Sequence, residues 1–134
     1  MKMILHRFCS QEEFDSFKRG ELLINEKDHS KTRGTATTSV GFCWFTENPE
    51  KAKHRLSGIV DFDVCITVET DVPNVKESKG RYVVNGVRGV YLTEYCCTSY
   101  DNKRFRLVEA TDKFKSYAPN FSDLKKIAPW LFNG

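Results

Sequence analysis

Three residues have side chains suited to act on a bound ligand, although they lie far apart in the chain: His6, Trp44 and Glu94. An imidazole exchanges hydrogen bonds near neutral pH, an indole face attracts cations, and a carboxylate stabilises developing positive charge. Each also has an ordinary interpretation, as a half-buried strand histidine, a core tryptophan or a surface carboxylate. The sequence has no Gly-rich phosphate loop, Gly-x-Ser-x-Gly motif or Cys-x-x-Cys pair that would indicate another chemistry.

The N-terminal elements are predicted to place His6 on a strand that leads into a helix. Apolar alternation over Met3–Cys9 indicates the strand. Ser10 and Glu13 have the spacing of a capping box, which marks the start of the helix. Gly20 is expected to end that helix, because it accepts a positive φ without a Cβ penalty.

Trp44 and Glu94 are also expected on strands. Trp44 falls in the aromatic run Val40–Thr46, which is typical of a buried strand. A helix is predicted over Asn48–Leu56, since it begins with an Asn-Pro pair that suits a helix N-terminus. Glu94 falls in the predicted strand Gly89–Tyr95.

The remaining segments decide the fold class. Glu26–Ser39 is polar and aperiodic, which predicts a long exposed loop, and Ser122–Ile127 predicts a short final helix. The other predicted strands are Glu21–Asn25, Gly58–Asp71, Arg81–Val84 and Phe105–Glu109. Because the strands cluster late in the chain, this order favours a single α+β domain over residues 1–134, with a mostly antiparallel sheet.

Three segments, taken in order, resemble the site motifs of one superfamily. In Leu5–Ser10 a strand-borne His precedes a helix, in Gly41–Thr46 an aromatic-Phe strand precedes a helix, and in Glu94–Asp101 a Glu opens a late strand. Together they resemble the ADP-ribosyltransferase superfamily, in the His-aromatic-Glu branch that includes poly(ADP-ribose) polymerases and diphtheria-type toxins. The resemblance covers residues 4 to about 107 and implies an ADP-ribosyltransferase-like fold with a mostly antiparallel split sheet and a few short helices.

The resemblance also implies NAD as the cofactor and assigns roles to the three residues. His6 would hydrogen-bond a ribose hydroxyl and orient the cofactor. Trp44 would stack on the cationic nicotinamide ring. Glu94 would hold a ribose hydroxyl and stabilise positive charge as the bond between nicotinamide and ribose breaks. His6 and Glu94 are thus the candidate catalytic residues.

Some positions depart from the family pattern and leave a second register open. Arg7 stands where the polymerases have Gly after the His, and Leu92 stands where arginine-specific toxins have a second Glu or Gln. In the second register Arg7 is the first-motif residue, and Thr37–Ser39 forms a Ser-Thr-Ser-like motif as in the toxin-like branch. Arg7 and Ser39 are therefore cofactor-binding candidates beside His6.

Three functions follow from this resemblance. The first is mono-ADP-ribosylation of a macromolecular target, or hydrolysis of NAD, with protein the expected acceptor and conflict between phage and bacteria a suitable setting. The second is a non-catalytic domain that binds NAD, ADP-ribose or a protein partner. The third is an RNA-directed 2′-phosphotransferase. That chemistry needs Arg and His around a phosphate, and the candidates are scattered: Arg7, His29, Arg33 and Arg88.

Composition restricts the remaining classes of protein. The net charge of +3 arises from mixed charges, which makes nucleic acid a less favoured partner than protein. The five cysteines have no ligand spacing, so we expect free thiols and no metal site. The sequence shows neither a signal peptide nor a membrane-spanning run, which predicts a cytoplasmic location and no membrane partner. We also expect a monomer.

Overall fold

The computed structural model describes residues 1–25, 41–57, 59–84 and 87–117. Its elements are β1 (Lys2–Cys9), α1 (Gln11–Lys18), β2 (Leu23–Ile24), β3 (Cys43–Thr46), α2 (Pro49–Leu56), β4 (Val64–Asp71), a 3-10 turn (Val72–Asn74), β5 (Lys76–Val84), β6 (Val87–Cys97), β7 (Ser99–Tyr100) and β8 (Phe105–Thr111). Six strands form one sheet in the order β5-β6-β3-β1-β4-β8, and β2 pairs with β7. All pairings among the described strands are antiparallel. This small α+β architecture confirms the predicted fold class.

Helix α1 begins and ends at the predicted signals. The Ser10 side chain accepts a hydrogen bond from the Glu13 amide, so it satisfies a donor that the first helical turn leaves unpaired. Gly20 has a φ of 85°, and its amide bonds to the Phe17 carbonyl while the next amide bonds to Ser16. This pair of bonds is a Schellman motif, which needs the left-handed conformation that glycine adopts without strain.

Alternation along β1 separates two groups of buried side chains. Leu5 and Cys9 belong to the main core, with Phe45 of β3. Phe8 points to the other face and packs with Ala52 of α2 in a smaller cluster. Because side chains alternate along a strand, His6 shares the face of Phe8 and helix α2.

The predicted strand Gly58–Asp71 is wrong in its first part. Residues 59–63 form a turn, and β4 begins only at Val64. The amides of Ile59 and Val60 bond back to the Leu56 carbonyl at the end of α2. Their apolar side chains therefore mark a turn packed on the helix, although their pattern is that of a strand.

The other boundaries shift by several residues. The strands β5, β6 and β8 are longer than predicted, and β3 is shorter. Of the strand predicted at Glu21–Asn25, only Leu23–Ile24 forms, as β2. Its partner strand β7 is not among the predicted strands. The predicted loop Glu26–Ser39 and the predicted helix Ser122–Ile127 lie outside the described residues. In the described part of the chain, no helix has both the length and the apolar character needed to cross a membrane.

Candidate functional site

A cavity opens where strands β1 and β3 part. β1 pairs with β4 along its whole length, from Lys2 to Cys9, but its described pairing with β3 is limited to His6 opposite Thr46. Beyond this pair the two strands diverge and leave a cavity of about 530 Å³. That volume lies within the range of small-molecule and cofactor sites.

Four of the five predicted cofactor-binding residues line this cavity. They are His6, Arg7, Trp44 and Glu94. The fifth, Ser39, lies outside the described residues. Since the cavity lies at the split, it receives side chains from both faces of β1, which is how His6 and Arg7 both reach it.

A row of polar residues across the sheet explains why His6 and Glu94 meet. Ser78, Glu94, Thr46, His6 and Thr67 are direct cross-strand neighbours on β5, β6, β3, β1 and β4. Direct neighbours in a sheet point to the same face. Two strand spacings separate His6 from Glu94, which is about 10 Å between their backbones. The sheet register thus joins residues from opposite ends of the chain.

His6 is held by a neighbour on β4. Its Nδ1 lies 2.8 Å from Oγ1 of Thr67, which leaves Nε2 as the nitrogen for a ligand. Burial lowers the pKa of His6 from its ordinary value of 6.5, and the Lys113 ammonium adds to this while Glu109 opposes it. The folded protein therefore favours the neutral ring, which can both donate and accept a hydrogen bond.

The lowered pKa of His6 makes stability depend on pH. As pH falls through about 6.5, His6 binds a proton in the unfolded chain but stays neutral in the folded protein. The free energy of unfolding therefore decreases. In His6→Gln this contribution is absent, and we expect a smaller loss of stability on acidification. Urea unfolding of both proteins at about pH 7.5 and 5.5 measures the difference. Equal losses would contradict the assigned protonation state.

Trp44 lies half-buried beside a second aromatic ring. Its ring centroid is 6.3 Å from that of Phe42, with the planes tilted by 56°. Its carbonyl oxygen accepts a hydrogen bond of 2.9 Å from Nη1 of Arg7. Both Phe42 and Trp44 line the cavity.

Glu94 is paired with Arg55, a cation outside the predicted site residues. Nη1 of Arg55, on α2, lies 3.1 and 3.2 Å from the two carboxylate oxygens. The Glu94 side chain is only 4% exposed, so solvent screens this pair weakly. The Arg55 guanidinium also lies 4.0 Å from the centre of the Tyr82 ring. Burial and the neighbouring Glu94 carboxylate raise the pKa of Tyr82.

Arg7 belongs to a buried network at the other face of the sheet. Its Nε and Nη2 donate to the two carboxylate oxygens of Glu13, at 2.7 and 3.1 Å. The Tyr100 hydroxyl donates to Glu13 as well, and the Arg7 guanidinium lies against the Phe45 and Tyr100 rings. Burial disfavours the charge, but Glu13 and Tyr100 outweigh it and hold the pKa of Arg7 well above its usual range.

Sequence reasoning missed Arg55, Tyr82 and Glu13 as parts of the site. Arg55 belongs to the densest basic cluster of the sequence, and its position near the end of α2 was the signal that could have identified it. The residues considered for an RNA-directed 2′-phosphotransferase do not assemble in the described part of the chain. Arg88 is exposed on β6 and does not line the cavity. His29 and Arg33 lie outside the described residues.

Metal chemistry and relatives give no further assignment. All five cysteines are free thiols, and the described residues contain no group of three or more His, Cys, Asp or Glu that could hold a metal ion. No family model, curated protein or solved structure matches the chain.

Proposed function

We propose that this protein is an NAD-dependent ADP-ribosyltransferase of the His-aromatic-Glu type, with its site in the cavity between β1 and β3. The main support is that His6, Trp44 and Glu94 lie on one face of neighbouring strands and line one cavity of suitable volume. The residue types also fit NAD. An aromatic face suits the nicotinamide cation, and a carboxylate suits the ribose.

Each residue has a definite task in this reaction. The bond between nicotinamide and the ribose C1′ breaks with its electron pair leaving on nicotinamide. The acceptor then forms a bond to C1′ and loses its proton. Glu94 stabilises the positive charge that develops on the sugar, in a site with little water. His6, held by Thr67, positions a ribose hydroxyl through Nε2, and Trp44 holds the nicotinamide ring.

Release of nicotinamide from labelled NAD tests the proposal. We expect the purified protein to release nicotinamide, and the label on the ADP-ribose portion to identify the acceptor. Transfer to protein in a cell extract would identify a transferase, whereas free ADP-ribose without extract would identify a glycohydrolase. If neither purified protein nor protein with extract releases nicotinamide, the enzymatic proposal is wrong.

A second candidate function is a non-catalytic domain that binds NAD or ADP-ribose. The ion pair between Arg55 and Glu94 favours it, because a neutralised carboxylate stabilises positive charge less well. The two functions differ in one measurement. A binding domain retains NAD unchanged at saturation, whereas an enzyme converts it.

Trp44 provides a test of ligand binding that does not depend on turnover. We expect Trp44→Ala to weaken NAD binding about tenfold, because it removes stacking and cation–π attraction in the bound state. Trp44→Phe should recover part of this loss, since it keeps a ring. Tyr91→Ala is the matched control, because Tyr91 is an aromatic residue that is 58% exposed and does not line the cavity. Equilibrium titration measures the three affinities, and an unchanged affinity in Trp44→Ala would contradict the stacking role.

A further inference from the structure

Arg55 has hydrogen-bonding capacity beyond its bond to Glu94. A guanidinium has five N–H donors, and only Nη1 of Arg55 bonds within the described part of the chain. The side chain lines the cavity and is 24% exposed. Donors on Nε and Nη2 are therefore available to a ligand that carries anionic oxygens.

The position of this guanidinium is fixed by the ring below it. The Tyr82 ring folds back over Gly80, where a Cβ atom would lie 2.9 Å from the ring Cζ and hydroxyl oxygen. Gly80 thus provides the space for the ring, and the ring supports the Arg55 guanidinium at 4.0 Å. Stacking on a ring face leaves the N–H edges of the guanidinium accessible. The Arg55 guanidinium is therefore already positioned at the cavity wall in the free protein.

We propose that Arg55 binds a phosphate group of the dinucleotide and thereby releases Glu94 to the ribose. This inference rests on the proposed function. A planar guanidinium matches the geometry of phosphate oxygens, and a phosphate that first binds at Nε and Nη2 then competes with the Glu94 carboxylate at Nη1 for the same cation. In the free protein, the ion pair with Arg55 neutralises the charge of Glu94 until a phosphate binds Arg55. The cavity therefore selects nicotinamide ribosides that carry phosphate over those that do not.

Comparison of three ligands tests this selection. NAD, nicotinamide mononucleotide and nicotinamide riboside are titrated by calorimetry into wild type, Arg55→Gln and Arg81→Gln. We expect wild type to bind the two phosphate-bearing ligands about tenfold more tightly than the riboside, and Arg55→Gln to lose this preference. Arg81→Gln is the matched control and should keep it, because Arg81 also lies over a tyrosine ring, at 5.3 Å, but does not line the cavity.

The outcomes separate the inference from the proposed function. If wild type binds no NAD, the proposed function fails and this inference fails with it. If wild type binds all three ligands equally, or if Arg55→Gln keeps the preference for phosphate, the inference alone is overturned. Should Arg55→Gln fail to fold because Glu94 loses its cation, the double variant Arg55→Gln/Glu94→Gln removes both charges, and the same preference is read from it.

Discussion

Glu94→Gln should lower the rate of nicotinamide release by roughly a hundredfold to a thousandfold, the usual loss when an electrostatic stabiliser of the transition state is removed. NAD affinity should fall far less, because the carboxylate acts mainly on charge that develops during the reaction. Single-turnover kinetics and equilibrium binding of the same variant separate the two effects. Glu69→Gln is the matched control, since Glu69 is a strand carboxylate that is ion-paired with Arg106 at 3.3 Å and does not line the cavity.

The same substitution also affects stability. Glu94 is buried and bound to Arg55, so its replacement by Gln removes the ion pair but keeps an oxygen that can accept a hydrogen bond from Arg55. We expect the free energy of unfolding to fall by about 1–2 kcal/mol. The catalytic role of Glu94 has its own contrary outcome. If the Glu94→Gln variant releases nicotinamide at the wild-type rate, Glu94 is not a catalytic residue.

Arg7→Met should destabilise the protein by about 2–4 kcal/mol, because it leaves the Glu13 carboxylate without its cation. The Arg7 and Glu13 side chains are 13% and 22% exposed, which places the expected loss somewhat below that of a fully buried pair. Urea unfolding measures the change. The double variant Arg7→Met/Glu13→Gln should be more stable than the sum of the two single losses predicts, because it removes the charge that Arg7 leaves behind.

The Arg7→Met variant also distinguishes the two sequence registers. If Arg7 is a structural residue, as its bonds to Glu13 and the Trp44 carbonyl indicate, the folded fraction should bind NAD with little change. A variant that is as stable as wild type but has lost NAD binding would instead support the register in which Arg7 is the first-motif residue.

Local signals in the sequence predicted helices α1 and α2 and the fold class. The Ser10 cap, the Gly20 end and the Asn48–Pro49 start act within a few residues, so they can be read directly from the sequence. Strand boundaries are less local. Residues 59–63 have the apolar pattern of a strand but form a turn, because their partners are helix α2 and the Phe8 cluster rather than a neighbouring strand.

The site could be predicted only in part, for a related reason. His6, Trp44 and Glu94 were predicted from the resemblance of three ordered segments to the motifs of one superfamily, and sheet register brings them to one cavity. Register between distant strands determined the row of polar residues through Thr46, and no pattern within one strand specifies it. The partners Arg55 and Glu13 were missed because each comes from a helix whose packing on the sheet fixes which charge it meets.

A crystal structure of Glu94→Gln with bound NAD tests the central claim most directly, because this variant is expected to bind NAD without consuming it. We predict the nicotinamide ring against the Trp44 indole, and the adjoining ribose within hydrogen-bonding distance of His6 and of residue 94. NAD bound elsewhere on the protein, or a cavity between β1 and β3 that stays empty at saturating NAD, would contradict the proposed site.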